Sequence, residues 1–246
     1  MLSEVFKLFW KTVERKDARR INSQTPPTEI EQFCDIQYID DGLWQHRLDV
    51  YSKSGKLSHC PVIIDIHGGG WMYGTKEINK NYCLVLAQND YVVVNINYRL
   101  APDFSVADQL RDCFFAFKWV STNIEKYGGD LNNVFVTGDS AGGFLAAYSA
   151  LLNSSEKLRK IFGVTESGLE FRACGLTSPV CFMNTHTFQD VYYSRVKGKE
   201  FSESTLRGFE NFDAVLNKGS MPPTFLVTSS GDAVGKLHTI QIYNLL

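Results

Sequence analysis

The chain has 246 residues, 44% hydrophobic and 21% charged, enough for one sizeable domain with a full core and too apolar for a disordered chain. Lys and Arg total 25 against 27 Asp and Glu, a net charge of -2, so no basic field invites nucleic acid. The longest apolar runs are strand-sized, short of the ~20 residues that a membrane span needs.

Six cysteines show no CxxC pair and no zinc-type Cys/His spacing, so no metal site is expected. Most lie in apolar runs and read as buried free thiols of a reducing, cytoplasmic compartment. The opening stretch MLSEVFKLFWKTVERKDARR carries no signal-peptide pattern.

Residues 2 to 20 place Leu2, Val5, Phe6, Phe9 and Val13 on one helical face, opposite Lys7, Lys11, Arg15 and Arg19. A helix packed on the domain as part of a cap is preferred to one lying in a membrane interface. The loop SQTPPT ends this unit, so residues 1–30 are assigned as cap helix and loop and 31–246 as the main domain. Two strands, Cys34–Ile39 and Gln45–Tyr51, follow as a hairpin around Asp40-Asp41-Gly42.

The pattern then changes. Pro61–Ile66, Tyr91–Tyr98, Asn133–Gly138 and Pro223–Thr228 are runs of mostly apolar, β-branched residues, as in strands buried on both faces of a parallel sheet. Helices are expected between them at Ile78–Gln88 and Ala141–Leu152. Another should carry the stripe Val106, Leu110, Cys113, Phe114, Phe117, Ile124 and Tyr127, with Ser105 as N-cap and Gly128-Gly129 as stop. A shorter strand is expected near Ala173–Val180. The aperiodic segment of about 181–220 is assigned as a cap insertion. This order of elements makes the class α/β.

The chemistry centres on Gly138-Asp139-Ser140-Ala141-Gly142-Gly143, which follows the strand VFVT and opens a helix. In that context G-x-S-x-G forms a turn tight enough to strain the serine backbone and project its hydroxyl. The second signal is His67-Gly68-Gly69-Gly70-Trp71, just after PVIIDI. With 5 His and 19 Gly in the chain, His-Gly-Gly-Gly is expected by chance roughly 0.002 times. Consecutive glycines let backbone N–H groups converge on one point, as an acyl-transfer oxyanion hole requires. Trp71, Tyr73 and Phe144 flank the motifs and read equally as pocket lining or as core.

These residues, together with Tyr98-Arg99-Leu100-Ala101-Pro102, resemble the hormone-sensitive-lipase-like serine carboxylesterases of the α/β-hydrolase superfamily. The resemblance runs from about residue 35 to the end. It implies an α/β-hydrolase fold with a mostly parallel central sheet, helices on both faces, and an N-terminal helix and an insertion forming a cap. It also implies Ser140 as nucleophile, with Gly69, Gly70 and Ala141 as oxyanion donors. The implied substrates are short- to medium-chain carboxylic esters, with no cofactor. Asp232, just past strand FLVT, matches the triad acid, although Asp232-Ala233-Val234 departs from the family's usual Asp-Pro-Leu.

The family's catalytic histidine lies a few tens of residues beyond the acid, and Leu246 is the last residue here. The expectation is therefore a C-terminally truncated chain lacking its base, since His46, His59, His67, His186 and His238 each fit that role poorly. Two other readings stay open at this point: a small-molecule receptor built on the same fold, and an amidase or deacetylase variant.

Overall fold

A computed structural model describes residues 2–55, 58–184, 189–203 and 205–246. In chain order the elements are α1 (Leu2–Asn22), β1 (Ile30–Gln37), β2 (Arg47–Lys53), β3 (Cys60–Ile66), α2 (Lys80–Gln88), β4 (Val92–Ile96), α3 (Val106–Asn123), β5 (Gly129–Asp139), α4 (Ala141–Ser154), α5 (Glu156–Phe162), β6 (Phe171–Thr177), α6 (Asp190–Lys197), α7 (Glu200–Glu203), α8 (Phe212–Leu216), β7 (Thr224–Val227) and α9 (Gly235–Leu245).

One seven-stranded sheet has the order β1-β2-β4-β3-β5-β6-β7. The β1–β2 hairpin is antiparallel and joins β4 antiparallel, while β4, β3, β5, β6 and β7 run parallel. The chain passes from β3 to β4 on one side and then crosses to β5 on the other. Crevices at the carboxyl ends of strands form where the winding direction changes in this way.

The apolar runs explain the layering. Val92, Val94 and Ile96 join the main core with Val62, Ile64 and Ile66, whereas Val93 packs on the other face with Cys83, Leu84 and Ala87 of α2. The α3 stripe is buried as its spacing predicts, apart from the half-buried Tyr127. Ser105 and Asp108 form a capping box at its start.

Several boundaries differ from the sequence reading. Residues Lys76–Ile78 form a short 3-10 turn before α2, and β5 starts at Gly129 rather than Asn133. β7 is not buried on both faces. It lies at the edge of the described sheet, with Phe225 72% and Val227 40% exposed. On α1 the inward residues are Trp10, Val13 and Asp17, while Phe9 is 55% exposed; the side chains of Leu2, Val5 and Phe6 lie outside the described set. Among the described residues no helix is long and apolar enough to cross a membrane, and no group of His, Cys, Asp or Glu could hold a metal ion.

Candidate active site

Register brings the two glycine motifs together. Ile66, the last residue of β3, pairs with Gly138 of β5, so the loop after β3 and the turn after β5 leave the sheet side by side. Ser140 sits in that turn with φ 53° and ψ -113°, a left-handed conformation that costs a non-glycine residue of order 1–3 kcal/mol. Neighbouring close approaches hold it there. A Cβ on Gly142 would run into the carbonyl oxygens of Ile66 and His67, so only glycine lets α4 start against the end of β3. Ser140 N–H donates to Thr177 O at 2.9 Å, which ties the turn to β6.

The His67–Tyr73 loop folds back on itself. Gly69 has φ 120°, and its carbonyl accepts from Met72 N–H at 3.2 Å and Tyr73 N–H at 3.0 Å. A Cβ at Gly69 would overlap Tyr73 O. Gly68 N–H donates to Asp139 Oδ1 at 3.0 Å, and Tyr192 of α6 donates its hydroxyl to Gly70 O at 2.5 Å.

Ser140, Gly69 and Gly70 line one cavity of about 320 Å³, together with Gly68, Tyr73, Asn79, Asp139 and four residues of α1. Those four are Trp10, Val13, Asp17 and Arg20, one stripe of the helix. Trp10 stacks on Tyr73 with ring centroids 5.5 Å apart. Tyr73 donates its hydroxyl to Asp17 Oδ2 at 3.4 Å, and Arg20 Nη2 donates to Ile78 O at 3.3 Å, so α1 is fastened over the loop by polar contacts.

The sequence reading missed Trp10, Asp17 and Arg20. The only signal was their i, i+7, i+10 spacing, which with Val13 makes a stripe along the margin of the predicted apolar face. Of the three flanking aromatics, Tyr73 lines the cavity, whereas Trp71 and Phe144 are buried against each other in the core. Ala141 is buried at the first position of α4 and is not among the residues lining the cavity. Its N–H is one of the four at a helix start that have no intrahelical partner.

Asp232 does not line the Ser140 cavity. It follows β7, and because β5 and β7 run parallel it stands on the same edge of the sheet as Ser140. Its Oδ1 accepts from Val234 N–H and Gly235 N–H, each at 2.9 Å. A hydrogen bond from Ser178, with those two backbone donors, holds its carboxyl below the ordinary carboxylate value.

The described histidines are committed elsewhere. His46 lies between Asp41 and Asp112, at 2.7 and 3.2 Å, and hydrogen bonds to both carboxylates raise its pKa against the opposing effect of burial. His67 must carry its proton on Nδ1, because Gly68 O at 2.7 Å can only accept. It stacks on Tyr98, and burial lowers its pKa to about 4. His238 Nδ1 accepts from Phe182 N–H at 3.2 Å, which leaves that nitrogen unprotonated, and burial lowers its pKa too. His59 is on the loop before β3. None of these four lines the Ser140 cavity, and His186 lies outside the described residues.

Known proteins are similar to this chain. Esterase B from Lactobacillus rhamnosis, in a structure described with a C4-C4 SN3 tributyrin phosphonate, superposes on the whole chain with a TM-score of 0.92 and 30% identity, and the chain covers 79% of it. Versiconal hemiacetal acetate esterase of Dothistroma septosporum is 36% identical over 112 residues, 45% of this chain and 33% of that protein. Isoprenylcysteine alpha-carbonyl methylesterase ICME of Arabidopsis thaliana is 28% identical over 198 residues, 76% of this chain and 46% of that protein. The chain thus spans less than half the length of these two curated relatives. The family model described as BD-FAE matches residues 48–194, more than half of the chain, and with it every strand from β2 to β6 and both glycine motifs. The chain belongs to the BD-FAE family of carboxylesterase-type α/β-hydrolases.

Proposed function

We propose that the protein hydrolyses carboxylic esters of short to medium acyl length through an acyl-enzyme on Ser140. The observation that carries this reading is the strained Ser140 turn sharing one small cavity with Gly69 and Gly70. Ser140 Oγ attacks the ester carbonyl as its proton passes to a catalytic histidine, a role that none of the five histidines of this chain fits well. The tetrahedral oxyanion accepts hydrogen bonds from the N–H groups of Gly69, Gly70 and Ala141. The protonated alcohol leaves, and water then cleaves the acyl-enzyme and restores Ser140. Asp232, on the same sheet edge, orients the histidine and stabilises its imidazolium.

The size of the cavity and the tributyrin phosphonate described with esterase B support a short acyl chain. Residues 1–30 and about 181–220 act as the cap, a reading supported by α1 and α6 meeting the Gly68–Gly70 loop. Six free cysteines support a reducing, cytoplasmic setting.

The test is hydrolysis of a short-chain aryl ester by this chain beside Ser140→Ala. The expected result is that whatever turnover this chain shows falls by about 10³-fold or more in the variant. Turnover that survives Ser140→Ala, or folded protein that binds an ester without cleaving it, overturns the reading; the second outcome favours a receptor.

A further inference from the structure

Beneath the Gly68–Gly70 loop lies a polar cluster that ester chemistry does not itself use. Asp65 is the penultimate residue of β3 and is 1% exposed. Asp139 ends β5, and Asn79 occupies the N-cap position of α2. An asparagine there ordinarily accepts from its own helix's N–H groups. The Asn79 side chain makes no such bond. Instead its Nδ2 donates to Asp65 Oδ2 at 2.9 Å and to Asp139 Oδ1 at 2.9 Å. The amide orientation is set by chemistry, because only the NH2 group can face two acceptors. The Asp139 oxygen it reaches is the one that accepts from Gly68 N–H at 3.0 Å.

Three segments therefore meet on one carboxamide, the end of β3, the start of α2 and the residue before Ser140, and the Asp139 carboxylate carries the link on to the loop. We propose that Asn79 is a positioning residue for the Gly68–Gly70 loop, holding Asp139 in place by bridging it to Asp65 so that the Asp139 carboxylate anchors Gly68 N–H. The consequence for catalysis rests on Gly69 and Gly70 being the oxyanion donors; the order of the loop does not.

The bridge is sensitive to protonation. Two buried carboxylates beside one amide repel each other when both are ionised. Burial raises the carboxyl of Asp65 to about 7 and also raises that of Asp139. The groups facing the pair are Cys83 and Tyr82 of α2, Tyr98 beyond β4, and Arg20 of α1. Burial keeps the thiol and both phenols neutral, so Arg20 supplies the positive charge that faces Asp139. Below about pH 7 Asp65 is neutral; above it the ionised carboxylate takes a stronger hydrogen bond from Asn79 while the Asp139 charge opposes it, so the balance of forces on the bridge changes there.

Amide hydrogen exchange of the 67–73 segment tests this in the full chain, measured from pH 5.5 to 8.5 and normalised for intrinsic exchange. In Asn79→Ala the segment is expected to exchange about tenfold faster or more, while β4 and α4 keep their protection. Wild-type protection changes as the pH passes through about 7, and in Asp65→Asn it stays flat. An Asn79→Ala loop as protected as wild type overturns the proposal, as does a pH step that persists in Asp65→Asn. If Asn79→Ala does not fold, the Asp65→Asn comparison decides alone. Ester kinetics add a second readout: kcat falls by about 10- to 100-fold in Asn79→Ala with KM within about twofold. A wild-type chain without turnover would count against the proposed function and leave the exchange result to judge the bridge.

Discussion

The carboxyl ends of β3 and β5 and the flank formed by β7 and α9 hold the two groups of candidate residues, and they are built in opposite ways. At the centre, Gly142 is packed so closely on Ile66 and His67 that no side chain fits, and strained Ser140 is held by β6. At the flank, Phe225 is 72% exposed, Leu237 66% and Tyr243 75%, and the Asp232 carboxylate accepts from the backbone of its own turn. The Ser140 turn is thus made by backbone contacts among neighbouring strands and one helix. Asp232 is held by a local loop.

The comparison can be broken with one methyl group. Gly142→Ala should cost about 3 kcal/mol in urea denaturation, because its Cβ meets backbone oxygens that cannot yield. Gly231→Ala, with nothing nearer than Ser229 Oγ at 3.9 Å, should stay within about 1 kcal/mol of wild type. Equal losses would mean that the centre is not the rigid part.

Titration sharpens the contrast. The carboxyl of Asp65 is raised in the fold, so the stability it contributes is present below its unfolded pKa and lost as the pH rises through about 7. That of Asp232 is lowered, so its contribution is present above the ordinary carboxylate pKa and lost as the pH falls through the folded value. Stability profiles of Asp65→Asn and Asp232→Asn should therefore differ from wild type in opposite directions, the first toward neutral pH and the second in acid. The Asp232 effect should be much the smaller, because that carboxylate is close to solvent. Profiles that shift the same way would remove the distinction.

The smallest effect belongs to the outer face of α9. Leu237→Lys should leave the melting midpoint within the change that about 0.5 kcal/mol produces, while reducing light scattering at high protein concentration. A larger loss of stability would show that this face is packed in solution.

Much of the site was legible before any coordinates. G-x-S-x-G between an apolar strand and a helix, and His-Gly-Gly-Gly after another strand, announce backbone geometry that few other sequences supply. Asn79 and the α1 stripe were not legible. An asparagine before a helix reads as an ordinary cap, and two of the three α1 residues are charged, at or beside an apolar face that pointed to Phe9 instead. Periodicity reports which face of a helix is apolar, not which face meets a polar cavity.

By itself the sequence determined the α/β class, the strand-turn-helix around Ser140 and the glycine loop, because residue periodicity and runs of glycine mark them within short stretches of chain. The tertiary structure decided what depends on register and packing across long separations. It paired Ile66 with Gly138, placed α1 over the Ser140 cavity, left β7 at the edge of the described sheet and brought Asp65, Asn79 and Asp139 onto one amide. Hydrogen bonds and close approaches between distant segments leave no period in the chain from which to read them.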